Sequence, residues 1–162
     1  MKQYKKAIII INLVCILGYF AYAVYSKETI LKKGKLVLLE LAPVDPRSLM
    51  QGDYMALRYA ITQNLDADKM PKRGYCVVQL DSFNVAKKIR FQKNTTPVNK
   101  GEYIINYTST DYFSVHIGAE SFFFQEGDAE KFENAKFGGV MIDNNGNSLL
   151  VGLFNQQHQQ IQ

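Results

Sequence analysis

Histidine is scarce in this sequence, with 2 among 162 residues, and one of them, His158, stands in a polar tail. So few imidazoles leave little capacity for histidine catalysis or a histidine metal site. His116 falls in a strand-like run and reads as a packed or surface side chain. Cysteine is as sparse, with Cys15 inside an apolar run and Cys76 inside a strand-like one, so an intramolecular disulfide is excluded. Cys76 reads as a buried apolar filler. Cys15 reads as a membrane-buried thiol rather than a lipid attachment point, because Val14 stands where that processing wants a small residue. No glycine-rich nucleotide loop, paired-cysteine metal motif or nucleophile elbow occurs, so neither cofactor nor metal nor a catalytic set is expected. Asn94-Thr95-Thr96 and Asn106-Tyr107-Thr108 match glycosylation triplets at a level chance supplies. With 4 prolines, 47% hydrophobic and 12% aromatic residues, disorder is excluded as well.

Acidic residues are missing from the first 26 positions, which hold Lys2, Lys5 and Lys6, a charge of +3. The rest carries 16 basic and 15 acidic residues, a charge of +1, which together give the net +4. A nearly neutral body without a basic stripe has no electrostatic reason to seek phosphates, so nucleic acid is not an expected partner.

Charge is absent altogether from Ala7 to Tyr25, a run of 19 residues. At 1.5 Å per residue a helix of that length crosses a hydrocarbon core of about 30 Å. Tyr19, Tyr22 and Tyr25 suit an interfacial aromatic belt. The rival reading is a cleaved leader, for which the three lysines make a charged start and Ala21-Tyr22-Ala23 a cleavage site. The length of the apolar run favours an uncleaved anchor. Lys27, Lys32, Lys33 and Lys35 beyond the span rival the lysines before it, so loop charge leaves orientation open. A short N-terminal flank normally stays inside. The expectation is therefore a single-pass membrane protein, N-terminus inside and domain outside. Asn12, an amide within the span, hints at a neighbouring helix.

The expected organisation is a stub and anchor over 1–26, a linker over 27–35, a β-rich domain over 36–155 and a frayed polar tail over 156–162. The domain reads as mainly β, barrel-like or sandwich-like, with one short helix. Strands are expected over Lys35 to Leu41, Gly52 to Ile61, Tyr75 to Leu80, Val85 to Phe91, Glu102 to Tyr107, Tyr112 to Ile117, Val140 to Asp143 and Ser148 to Phe154. In the second, Met55, Leu57, Tyr59 and Ile61 alternate with Tyr54, Ala56, Arg58 and Ala60, a period of two. Hairpin turns are expected at Asp81-Ser82-Phe83-Asn84 and around Asn145-Gly146. Asp128 is a candidate cap for a helix running through Phe137, with Gly138-Gly139 as its stop.

The densest set of unusual residues is DPRSLMQGDYMALRY, Asp45 to Tyr59. Its structural reading has Gly52 at a positive backbone angle, Asp53 bonding backbone donors, and Arg58 paired with Asp45 or Asp53. Its functional reading is a recognition surface of Asp45, Arg47, Asp53, Tyr54, Arg58 and Tyr59, joined by Glu126.

Gly52-Asp53-Tyr54-Met55-Ala56-Leu57-Arg58-Tyr59 fits the pattern for which bacterial GDYXXLXY proteins are named. The lead-in Pro43-Val44-Asp45-Pro46-Arg47, the stretch Ser121 to Gly127 with the helix after it, and Gly139 to Leu153 also resemble that family. The resemblance covers most of residues 36–154. It implies a membrane-anchored bacterial protein, often encoded near multi-spanning membrane proteins, and no particular reaction. The leading expectation is thus an extracytoplasmic binding or accessory module whose partners are the bilayer, through residues 7–25, and a multi-spanning membrane protein or envelope component. A fainter similarity, carried by MQGDYMALRY, GYCVVQL and AKKIRF, is to the β-barrel of type I signal peptidases. That class implies a Ser-Lys hydrolase, here Ser48 with a buried Lys87 or Lys88, but Pro43 stands near the usual place of the serine. A third alternative is a carrier whose cavity for a lipid or hydrophobic ligand is lined by Phe122-Phe123-Phe124.

Overall fold

Helix α1, Lys2–Lys33, is far longer than the uncharged run within it. The computed structural model describes residues 2–42, 50–51, 54–63, 71–111, 114–125 and 127–162. Among the described residues α1 is the one helix long and apolar enough to cross a membrane, and none of its apolar window is buried by the rest of the chain. Residues 27–33, expected as part of a linker, instead form the last two turns of α1. Their sequence KETILKK explains this: good helix formers, a Glu28–Lys32 ion pair one turn apart, and Ile30 on the side that the domain buries to 4% exposure. Gly34 then turns the chain directly into strand β1, its N–H donating to the Ile30 carbonyl at 2.8 Å. A Cβ at Gly34 would lie 2.5 Å from the Ile30 oxygen and 2.9 Å from the Ile142 oxygen, both backbone atoms.

The domain is mainly β, as the alternating runs imply, in three antiparallel sheets. In the first, β1 (Lys35–Glu40) and β10 (Ser148–Phe154) flank β9 (Phe137–Ile142), with Val37 opposite Val140. The second has the order β5-β4-β6-β7, from Ala86–Gln92, Arg73–Leu80, Glu102–Asp111 and Ser114–His116. The third joins β2 (Met50–Gln51), β3 (Tyr54–Ala56) and β8 (Ser121–Phe123). Single backbone bonds stitch them together: Leu38 N–H to the Asn84 carbonyl, Asn106 N–H to Gly146 and Leu57 N–H to Glu120, all between 2.7 and 2.8 Å. The result is barrel-like, although no closed ladder runs around it among the described residues. Alternate residues face one interior, among them Val37, Leu39, Cys76, Val78, Ile105 and Leu153, each at most 1% exposed.

Three local readings differ from expectation. Of the run Gly52 to Ile61, the described residues 54–61 are strand only at Tyr54–Ala56, followed by a bridge from Tyr59 to Leu41 and a 3₁₀ turn at Ala60–Thr62. Helix α2 is just Ala129–Phe132, and Phe137 to Gly139, expected as its end and stop, begin β9. Here tertiary pairing overrides local propensity, because Lys136 already bonds Leu41 and Phe154 through its backbone. The two glycines make room instead: a Cβ at Gly139 would lie 2.2 Å from the buried Phe154 ring.

The tail is the third difference. Asp81, Asp143 and Asn155 each open the same five-residue turn. In each, the side-chain oxygen accepts the N–H groups two and four residues on. The fourth residue, Asn84, Gly146 or His158, takes a positive φ of 63°, 83° or 60°. The first two close the expected hairpins. The third folds the tail back, so that Ile161 donates to the Leu153 carbonyl at 2.8 Å. His158 lies between the rings of Phe83 and Phe137, with centroids at 4.8 and 5.0 Å. Residues 156–162 therefore belong to the domain.

Val77 and Ile104 pair across β4 and β6 on the side away from the main interior, yet both are buried. The 93–101 connection runs back along this side, from Gln92 beside Tyr75 to Glu102 beside Gln79. It is held by Arg90, whose guanidinium donates to both Glu102 oxygens, at 2.7 and 2.9 Å, and to the Pro97 carbonyl at 2.9 Å. The Asn99 N–H adds a bond to the same carboxylate. These donors, Arg90 first, hold the Glu102 carboxyl at about 2 against an ordinary 4.5. A carboxyl lowered by folding stabilises the fold fully above its unfolded value, and that contribution fades as pH falls toward the folded one. Glu102→Gln is therefore expected to unfold at lower denaturant than wild type at neutral pH. The gap should narrow between pH 4.5 and about 2, as followed by tryptophan-independent circular dichroism in detergent.

Candidate functional site

The period of two seen between Met55 and Ile61 is realised as burial. Met55, Leu57, Tyr59 and Ile61 are 2%, 3%, 1% and 6% exposed, while Ala56 and Arg58 are exposed. Of the residues expected to form a recognition surface, Asp45, Arg47, Asp53 and Glu126 lie outside the described residues, as do Ser48 and Gly52. Tyr54 is half-buried and meets Phe123 across the β3–β8 pair, with ring centroids 5.8 Å apart. Arg58 reaches solvent and has no acidic partner among the described residues.

Tyr59 does not join that surface. Its hydroxyl donates to the Ala119 carbonyl, and its ring lies so close to β9 that a Cβ at Gly138 would meet it at 2.9 Å. Burial, with the nearby Glu120 charge adding, raises its hydroxyl above the ordinary range, which keeps the donor protonated. A side chain tied into the interior in this way positions the strand and offers nothing to a partner.

Arg58 stands at the rim of a groove of about 580 Å³ where the ends of β1 and β3 meet the α2–β9 connection. Leu41, Met55, Leu57 and Phe132 give it an apolar lining, and Glu40, Arg58, Glu133 and Lys136 place two charges of each sign around it. Sequence reasoning missed Glu40, Glu133 and Lys136. The one available signal was Glu40, the lone charge interrupting the apolar run of β1 after its first residue. The groove sits at the far end of β1 from Gly34, about 20 Å away at the rise of a strand.

Of the other expected sites, the lysines and the phenylalanine run fall on described residues. Lys87 and Lys88 are exposed on β5, where the Lys88 ammonium lies 3.4 Å from the Gln63 carbonyl and 5.5 Å from the centre of the Phe91 ring. Neither has the burial a lysine base requires. Phe122 and Phe124 pack with Phe132 at 4.9 and 5.7 Å, and Phe123 is 73% exposed, so the three line no common cavity. Cys76 is a buried filler as expected, its thiol pushed up to about 12 by burial.

Removing the Tyr59 ring leaves a hole beneath the motif strand, whereas Arg58 is free to be cut back. Tyr59→Ala is expected to cost about 3–5 kcal/mol of stability and Tyr59→Phe about 1–2, from the lost hydrogen bond. Arg58→Ala should stay within about 0.5 kcal/mol of wild type. Denaturant titrations check the order, and a destabilised Arg58→Ala would show that its side chain is structural after all.

No curated protein and no solved structure matches the chain. The profile of the GDYXXLXY protein family matches residues 16–153, from the middle of α1 to the end of β10. Its named letters fall on Gly52, Asp53, Tyr54, Leu57 and Tyr59, and Arg58 occupies an unnamed position. A match over this much of the sequence, taking in the α1–β1 junction, the motif strand and the closing hairpin, makes the chain a member of the GDYXXLXY family.

Proposed function

We propose that the chain is a membrane-anchored binding module without a reaction of its own. Helix α1 lodges in a bacterial cytoplasmic membrane with Lys2, Lys5 and Lys6 inside, and the β-rich domain stands outside the cytoplasm. The groove beside Arg58 takes a segment of an envelope component or of a multi-spanning membrane protein. The observation that carries this reading is the groove's make-up: an apolar lining ringed by Glu40, Glu133, Arg58 and Lys136, none with an ion-pair partner among the described residues. Desolvating an unpaired charge costs free energy unless a partner supplies its complement, so such a rim selects ligands by charge pattern while the lining supplies contact area.

A photoreactive residue placed at Arg58 or Lys136 is expected to give one discrete adduct in intact membranes. The same residue at His116, exposed on β7 and outside the groove lining, should give none. Equal adducts from all three positions, or none from the first two, would contradict the proposal.

A further inference from the structure

A second concavity lies at the opposite end of β1, against the membrane. It is a crevice of about 440 Å³ between the last turns of α1, the Asp143–Asn147 turn and Tyr103 on β6. We propose that it seats the headgroup of an anionic phospholipid. The proposal rests on the reading of α1 as a membrane anchor.

Depth is the first argument. Residues 7–26 are uncharged and span about 30 Å as helix, which fills the hydrocarbon core. The remaining turns, 27–33, rise about 10 Å further, through the headgroup layer. The crevice is lined along this path by Tyr22 and Tyr25 at the hydrocarbon edge, Ser26 and Thr29 above them, and Lys33 and Lys35 at the top. An occupant there meets rings beside its glycerol region and two ammonium groups beside its phosphate, the order in which a phospholipid presents its parts.

Charge is the second. Lys32 is paired with Glu28, but Lys33 and Lys35 have no acidic partner among the described residues. The acid in the lining, Asp143, already accepts bonds from the Asn145 N–H at 2.9 Å and from the Asn147 N–H and side-chain amide, both at 2.8 Å. Two free cations against one satisfied carboxylate favour an anion.

Rigidity is the third. One wall is fixed because Gly34 has no space for a Cβ and Ile30 is buried in the domain. The other is fixed by the Asp143 turn, which also bonds β6 through Asn106. The crevice therefore exists before a ligand arrives, which lowers the cost of ordering it on binding.

The test uses the full chain in bilayers of phosphatidylcholine mixed equally with phosphatidylglycerol, with spin-labelled versions of each lipid reporting what the protein immobilises. Wild type should retain phosphatidylglycerol in preference to phosphatidylcholine. Lys33→Gln and Lys35→Gln should each reduce that preference by about fivefold. Lys33→Arg with Lys35→Arg should keep it, as should Lys87→Gln with Lys88→Gln on β5. Absence of a preference, or equal loss in the β5 variant, overturns the seat. Loss of the preference at soluble glycerol phosphate concentrations well below that of the lipid headgroups also overturns it, because the site would then favour a free phosphate compound over the lipid. If the protein is instead washed from pure phosphatidylcholine bilayers by alkaline carbonate, the anchor itself is wrong. Retention without a preference counts against the headgroup seat alone.

Discussion

An apolar helix that its own domain does not cover has to be covered by something else. None of the apolar window of α1 is buried by the chain, and burying such a surface is worth roughly 25 cal/mol per Å². The bilayer is the medium that fits a lone helix of this length, because a helix satisfies its backbone groups internally. Ile30 and Gly34 join α1 to β1 without an intervening loop, so what holds the helix also holds the first sheet.

Within the domain the last two named letters of the family's motif work from the inside. Leu57 and Tyr59 are core residues, and Tyr59 couples three parts of the fold: the end of β1 through its bridge to Leu41, the Ala119 carbonyl and the glycine-lined face of β9. Gly138 and Gly139 complete the arrangement by leaving room for the rings of Tyr59 and Phe154. Arg58, the solvent-facing residue between Leu57 and Tyr59, lies at the rim of the groove.

Much of this was legible in the residues because burial leaves a periodic trace. The alternation from Met55 to Ile61, the Asp81 and Asn-Gly hairpins, and the uncharged run of α1 all follow from period, turn chemistry or length. What was not legible depended on distant contacts. Gly138-Gly139 looks like a helix stop until the Tyr59 and Phe154 rings are placed above it. The tail looks unstructured because its turn has His158 where the other two turns have Asn84 and Gly146. The groove escaped notice because Glu40, Arg58, Glu133 and Lys136 come from separate stretches that only sheet pairing brings together.

The two cysteines provide the most direct check on the central claim, retention of α1 in the bilayer. Cys15 is exposed by the protein and shielded only if lipid surrounds it, while Cys76 is buried within the domain. An impermeant maleimide applied to intact membranes should label neither, and after full denaturation the same protein should carry two reactive thiols. A single thiol after denaturation, with Cys15 lost, or labelling of Cys15 in intact membranes, would contradict the account.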